Sequence, residues 1–132
     1  MRLTKQQRET IYRKSNGVCW YCGKILPKKG WHSDHFLPVG RIMKYDKKKR
    51  KKVWTGKYRH PERDHIDNMV PSCAECNRWK KSRSISTFRK SLQVLHKTVL
   101  NHTNVRMAVK YQHVKILNPK IVFWFEKRGN DE

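Results

Sequence analysis

The stretch HIDNMVPSCAECNRWKK, residues 65–81, is where the pattern of the chain tightens. Asn68 falls in a turn, Met69-Val70-Pro71 reads as a short strand, and Cys76-Asn77 is expected to open a helix running through Trp79 to about Ser82. Cys73 and Cys76 have knuckle spacing, and the same C-x-x-C spacing occurs upstream at Cys19 and Cys22 in CWYCG. Together the pairs supply one tetrahedral set of thiolates, the ligand chemistry of structural zinc. Redox motifs or unconnected thiols are the plainer reading of the same residues. The pairs are separated by 50 residues, so an ion held by both would close a long loop. With four thiolates bound it would have no open position for chemistry.

The rest of the chain is short and strongly basic. Its 132 residues predict a single compact domain with a modest core, for which a metal staple is no surprise. Thirty-two Lys and Arg against 10 Asp and Glu give a formal net charge of +22. Such an excess calls for a polyanionic partner, and nucleic acid is the leading one, because neutralised phosphates release counterions. A membrane is the weaker expectation, since no apolar run approaches the roughly 20 residues of a span. MRLTKQQRET at the start has no apolar leader, so an intracellular protein is expected.

Thr4 and Gln7 form a capping-box pattern for a helix to about Lys14, ended by Ser15-Asn16-Gly17. WHSDHFLP reads as a short strand stopped by Pro38. Residues 41–63 are a basic insertion, densest at Lys47, Lys48, Lys49, Arg50, Lys51 and Lys52 and followed by Trp54 and Tyr58. A block of like charge is expected to be a solvated, mobile loop in the free protein. Bound to DNA it would be an arm or hairpin gripping phosphates, with aromatics able to stack on bases or wedge into a groove. Ser84 caps a further helix whose Ile85, Phe88, Leu92, Leu95 and Val99 form one apolar stripe. A helix from Asn104 to about Gln112 and a strand in KIVFWFEK complete the prediction. The expected organisation is an N-terminal helix over 1–18, a zinc-stapled core over 19–83, and a helical and strand extension over 84–132.

Asp34, His35, Asn68 and Asn77 are the residues with chemistry to offer. Phosphodiester hydrolysis needs a base to activate water and a cation to absorb charge on the phosphate and leaving oxygen. Histidine is the side chain suited to move protons near neutral pH, and His35 follows a carboxylate directly. Asp34 and Asn77 carry hard oxygen donors suited to Mg²⁺ or Mn²⁺. Asn77 follows Cys76, so the zinc knuckle would aim its side chain. Neighbours on an ideal strand face opposite ways, so Asp34 and His35 can share a phosphate only at a bulge or at a strand's frayed end.

CWYCG, SDHFLP and HIDNMVPSCAECNRWKK together resemble the HNH endonuclease family, whose core is the ββα-metal fold. The motif letters fall on His35, Asn68 and Asn77, the last being a common variant of the final position. The resemblance covers roughly residues 1–90. It implies an α+β fold with a ββα-metal nuclease core stapled by the four-cysteine zinc site, flanking helices and a C-terminal strand. It implies further that His35 is the general base, that Asp34 and Asn77 hold a catalytic Mg²⁺ or Mn²⁺, and that Asn68 locks the loop and orients the imidazole. The implied partner is duplex DNA, gripped by residues 47–52 and by Arg78, Lys80, Lys81 and Arg83, with the protein a monomer or homodimer. The chain resembles small phage proteins of this family, and a phage or mobile-element protein is the implied type; if phage-encoded, it would act in the cytoplasm of a prokaryotic host. The 32-residue interval between His35 and Asn68 is longer than the family's usual loop.

His32, His60 and His65 lie near these positions, where surface exposure is the expected role and phosphate contact the sharper one. Trp20, Tyr21 and Trp31 are expected to pack on the zinc knuckle. The alternative to a nuclease is a non-catalytic, zinc-stabilised nucleic-acid-binding module in which His35 merely packs and the asparagines make turns.

Overall fold

The computed structural model describes residues 1–128. Helix α1 (Lys5–Arg13) is opened by Thr4, whose hydroxyl accepts from the Gln7 amide while the Gln7 side chain accepts from the Thr4 amide. Reciprocal capping satisfies two amides that a helix start otherwise leaves unpaired. The helix buries Ile11 completely. Asn16 (φ +52°) and Gly17 (φ +84°) then turn the chain, and a Cβ at Gly17 would sit 2.7 Å from the Tyr12 hydroxyl.

Two small antiparallel sheets follow. The first pairs β1 (His32–His35) with β4 (Met69–Ser72), with Asp34 opposite Val70 and His35 opposite Met69. Helix α2 (Ala74–Lys80) leaves β4 directly and packs on β1. It starts two residues before the expected Cys76, because Cys73 is itself the N-cap, its sulfur accepting from the Cys76 amide. The second sheet pairs β2 (Arg41–Asp46) with β3 (Lys51–Tyr58). The mobile loop expected for the basic insertion is therefore corrected to a β-hairpin. Main-chain pairing and cross-strand side-chain contacts hold the two strands together against the repulsion of their charges.

The core gathers Ile11, Tyr21, Leu26, Trp31, Met69, Val70, Phe88 and Phe123. Phe88 comes from α3 (Ile85–Gln93), capped by Ser84, and meets Tyr21 edge-on at 5.4 Å and Phe123 stacked at 5.1 Å. The apolar stripe does not run on as one helix. Val94 (φ −91°, ψ −1°) ends α3, and α4 (Leu95–Thr98), one 3₁₀ turn and α5 (Thr103–Lys110) fold on one another. Ile85, Phe88 and Leu92 pack on the core, whereas Leu95 and Val99 lie beyond it.

The expected C-terminal strand is a second correction. Residues 121–123 are irregular and Trp124–Lys127 form a short helix, α6. Glu126 folds back to accept from the Phe123 amide and takes a two-pronged pair from Arg89, at 2.8 Å on each oxygen. The Trp124 and Phe125 amides donate to the Tyr21 and Trp20 carbonyls. The aromatic run thus plugs the first cysteine turn instead of joining a sheet. Residues 129–132 of the predicted extension lie outside the described residues. No described helix is long and apolar enough to cross a membrane.

Phe88 is 1% exposed between two aromatic rings. Phe88→Ala is expected to lower unfolding stability by about 3–5 kcal/mol, measured by denaturant titration of the metal-loaded protein.

Candidate active site and four-cysteine centre

The two cysteine turns meet. The Trp20 amide donates to the Pro71 carbonyl, tying the first turn to β4. The sulfurs of Cys19, Cys22, Cys73 and Cys76 all lie within 4.8 Å of one another, with Cys22 and Cys73 3.9 Å apart. A thiolate tetrahedron at about 2.3 Å from zinc has edges of about 3.8 Å, so the cluster fits one zinc ion with little movement. A hydrogen bond from Cys76 holds the Cys19 thiol down at about 4, overcoming the opposing effect of burial. Burial pushes Cys22 up to about 11, and the same bond to Cys19 keeps the Cys76 proton in place. Zinc binding would release the remaining thiol protons.

A cavity of about 660 Å³ opens at Asp34, which the Tyr21 hydroxyl ties to the first cysteine turn. Its lining includes Asp34, His35 and Asn77, brought together from the end of β1 and the first turns of α2. His35 is the last residue of β1, and no register shift occurs in the β1–β4 ladder, so the strand's end rather than a bulge lets both residues reach one space.

Asp34 is 7% exposed. Its Oδ2 accepts from the Tyr21 hydroxyl and lies 3.0 Å from the Lys80 ammonium. Lys80, expected at a DNA-facing surface, is fully buried, and this is a correction. It also donates to the His35 carbonyl at 3.0 Å. Turned inward from the last position of α2, its charge neutralises Asp34, and loss of one partner of such a pair costs about 3–5 kcal/mol. Burial and the carboxylate beside it also drive the Tyr21 hydroxyl well above the usual phenol range. The Asp34 Oδ1 has no hydrogen-bond partner among the described residues.

The His35 Nε2 is 2.9 Å from the Asp64 Oδ1, a partner that sequence reasoning missed. Asp64 lies in a loop with Glu62 and Asp67, and nothing in the spacing of those three acids singles it out. The other Asp64 oxygen takes the amino-terminal ammonium at 2.9 Å. Burial alone would raise the Asp64 carboxyl; the bonds from His35 and the amino terminus outweigh it and hold it below the usual range. Asn68 does not touch the imidazole. Its Oδ1 accepts from the Leu37 amide, and its Nδ2 donates to the Leu37 and Arg63 carbonyls. It thus clamps the backbone beyond His35, and the expected orienting role passes to Asp64.

Among the other expected DNA contacts, Arg78 and Lys81 are exposed and Arg83 is partly so, with Lys81 lining the cavity. Residues 47–52 are all exposed at the far end of the hairpin, whose base contributes Arg41 and Met43 to the cavity wall. His32 lines the cavity, and His60 lies 3.3 Å from Glu62. Trp31 packs on Tyr12 and under Arg8, in the same core cluster as Cys19 and Tyr21.

Comparison with protein-family models, with characterised proteins and with solved structures found no match. Fold and site therefore define a small α+β protein with a four-cysteine cluster that could bind zinc and with a polar cavity.

The purified chain is expected to carry one zinc per molecule by atomic emission, and Cys73→Ser to lose it together with thermal stability. A depressed folded-state carboxyl stabilises above its unfolded value, about pH 4, and that contribution fades as the pH falls through the folded value. Wild type should therefore be more stable than Asp64→Asn near neutrality, and the two should converge in acid unfolding followed by circular dichroism.

Proposed function

We propose that this protein is a metal-dependent endonuclease of the HNH type, hydrolysing phosphodiester bonds in DNA, with the β1–β4 sheet and α2 as its ββα-metal core. The observation that carries the proposal is the convergence of Asp34, His35 and Asn77 on one open cavity in a chain of net charge +22. An ionised Asp64 accepts the proton on the His35 Nε2. That tautomer leaves the Nδ1 lone pair as the base for an attacking water. Asn68 keeps the loop after His35 in place, and Lys80 holds the His35 carbonyl from behind.

The donor set fits one hard divalent cation, Mg²⁺ or Mn²⁺, with Asp34 through its unpartnered Oδ1 and Asn77 as the residues that would hold it. Such an ion supplies charge stabilisation to the phosphate and the departing oxygen. Tyr21 and Lys80 position the Asp34 carboxylate by occupying its other oxygen. The four-cysteine cluster would hold zinc in a structural role, fixing Tyr21 and the start of α2. A monomer has one such cavity, so a double-strand cut would need two visits or a dimer.

The Lys80–Asp34 ion pair favours one other reading, since it already balances the Asp34 charge without a metal. In that case the chain is a zinc-stabilised nucleic-acid-binding module with no catalysis. Supercoiled plasmid incubated with Mg²⁺, Mn²⁺ or EDTA separates the two. Metal-dependent nicking or linearisation is expected, with His35→Ala losing about 10²–10⁴ in rate and Asp64→Asn losing less at an unchanged KM. A folded, zinc-loaded, DNA-binding protein that leaves the plasmid intact under every metal would establish the binding module.

A further inference from the structure

We propose that the β2–β3 hairpin is a stiff ribbon that enters the major groove of duplex DNA and runs outward from the cavity. Only the assignment of its inner end to the cut site rests on the nuclease reading. Residues 41–59 carry ten Lys and Arg against one acid, Asp46. Neither face of the hairpin is covered: most of its residues are exposed, and its contacts are overwhelmingly between its own two strands. An isolated two-stranded hairpin is only marginally stable in water, and six successive cations at the tip repel one another.

Specific contacts oppose that fraying. Asp46 closes the turn by accepting from the Lys48 and Lys49 amides. Trp54 lies between Tyr58, stacked at 5.1 Å, and Arg41, 5.0 Å from its ring. Its Nε1 donates to the Lys57 carbonyl, and the Thr55 hydroxyl donates across the ribbon to the Ile42 carbonyl. At the base, the Arg59 and His60 amides donate to the Gly40 and Val39 carbonyls. Trp54 is thus engaged by Tyr58 and Arg41 and stiffens the ribbon, although 40% of it stays exposed.

The register sets the direction. Met43 pairs with Trp54 and Tyr45 with Lys52, so these side chains share a face; the register shifts between Arg41 and Met43, and Arg41 joins that face by lying over the Trp54 ring. Arg41 and Met43 line the cavity, and the Tyr58 ring lies 6.4 Å from that of His35. One surface therefore continues from the cavity along the ribbon. Eight residues of β3 reach about 27 Å at roughly 3.4 Å each, the length of about eight base pairs at 3.4 Å per step. The major groove of B-DNA, about 12 Å wide, admits a two-stranded ribbon without deformation, whereas the minor groove, about 6 Å wide, takes one only if the duplex is bent or widened at a cost in free energy. The deep, narrow major groove of A-form RNA excludes it. Exposed Met43 and Tyr45 give this face apolar surface for base edges, and the tip cations supply phosphate contacts.

The test is binding in EDTA, where no cut can occur, to a 20-base-pair DNA duplex, its single strand and the matching RNA duplex. Fluorescence anisotropy is followed over a salt series, with Lys48→Gln, Lys49→Gln, Arg50→Gln and Lys51→Gln combined in one chain as the variant. Circular dichroism and zinc content check that this variant is folded. Wild type is expected to prefer the DNA duplex and to be displaced by methyl green, a major-groove ligand, but not by distamycin, a minor-groove ligand. The variant should lower the slope of log affinity against log salt by about 3–4, at roughly 0.9 per lost phosphate contact. Equal binding of RNA duplex or single strand, displacement by distamycin alone, or an unchanged slope would overturn the proposal. Plasmid cleavage is scored separately: absent cleavage with ribbon-dependent duplex binding defeats only the nuclease reading, and cleavage with ribbon-independent binding defeats only the ribbon.

Discussion

A carboxylate shut away from water has to be paired, and the pairing of Asp34 organises the centre of this molecule. One of its oxygens is shared by the Tyr21 hydroxyl and the Lys80 ammonium. Tyr21 lies between two cysteines of the first turn, Asp34 is on β1, and Lys80 ends α2, so three segments distant in the chain are bound at one atom. The four thiols join the same first turn to the same helix at its other end. Between these two ties α2 has little freedom to slide or rotate. The cavity wall, with Asn77 one turn before Lys80, inherits that rigidity.

The loop after β1 is fixed differently, by a neutral clamp. Asn68 meets the Leu37 amide and carbonyl and the Arg63 carbonyl, satisfying three backbone groups in a stretch with no regular pairing. That clamp also draws residues 63–68 beside the end of β1, which brings Asp64 within reach of His35. The partner of the imidazole is thus a consequence of where the loop is pinned.

Charge and conformation pull against each other in the insertion. Like charges favour an extended, solvated segment, and a sequence of six consecutive cations reads that way by itself. The ladder between β2 and β3, the cap from Asp46 and the sandwiched Trp54 reverse the outcome. The repulsion remains and is directed outward, leaving a cationic edge that is held in shape before any partner arrives.

The helix caps at Thr4 and Ser84, the short strand ahead of Pro38, the strand after Asn68 and the two cysteine turns were legible because each is written in local spacing. Capping patterns, C-x-x-C turns and hydrophobic period are properties of a few neighbouring residues. The presence of Asp34, His35 and Asn77 as candidate site residues could be read in the same way. Their mutual placement could not, because the buried Lys80, the Asp64 partner and the backbone clamp all join residues more than 20 positions apart or depend on such joins. Local propensity also misled at the aromatic tail, where β-forming residues became a core plug once Arg89 and Glu126 locked together. The sequence by itself determined the elements, the basic character and the four thiols. Tertiary structure alone decided which charges are buried and paired, because desolvation acts on a group only after distant segments close over it.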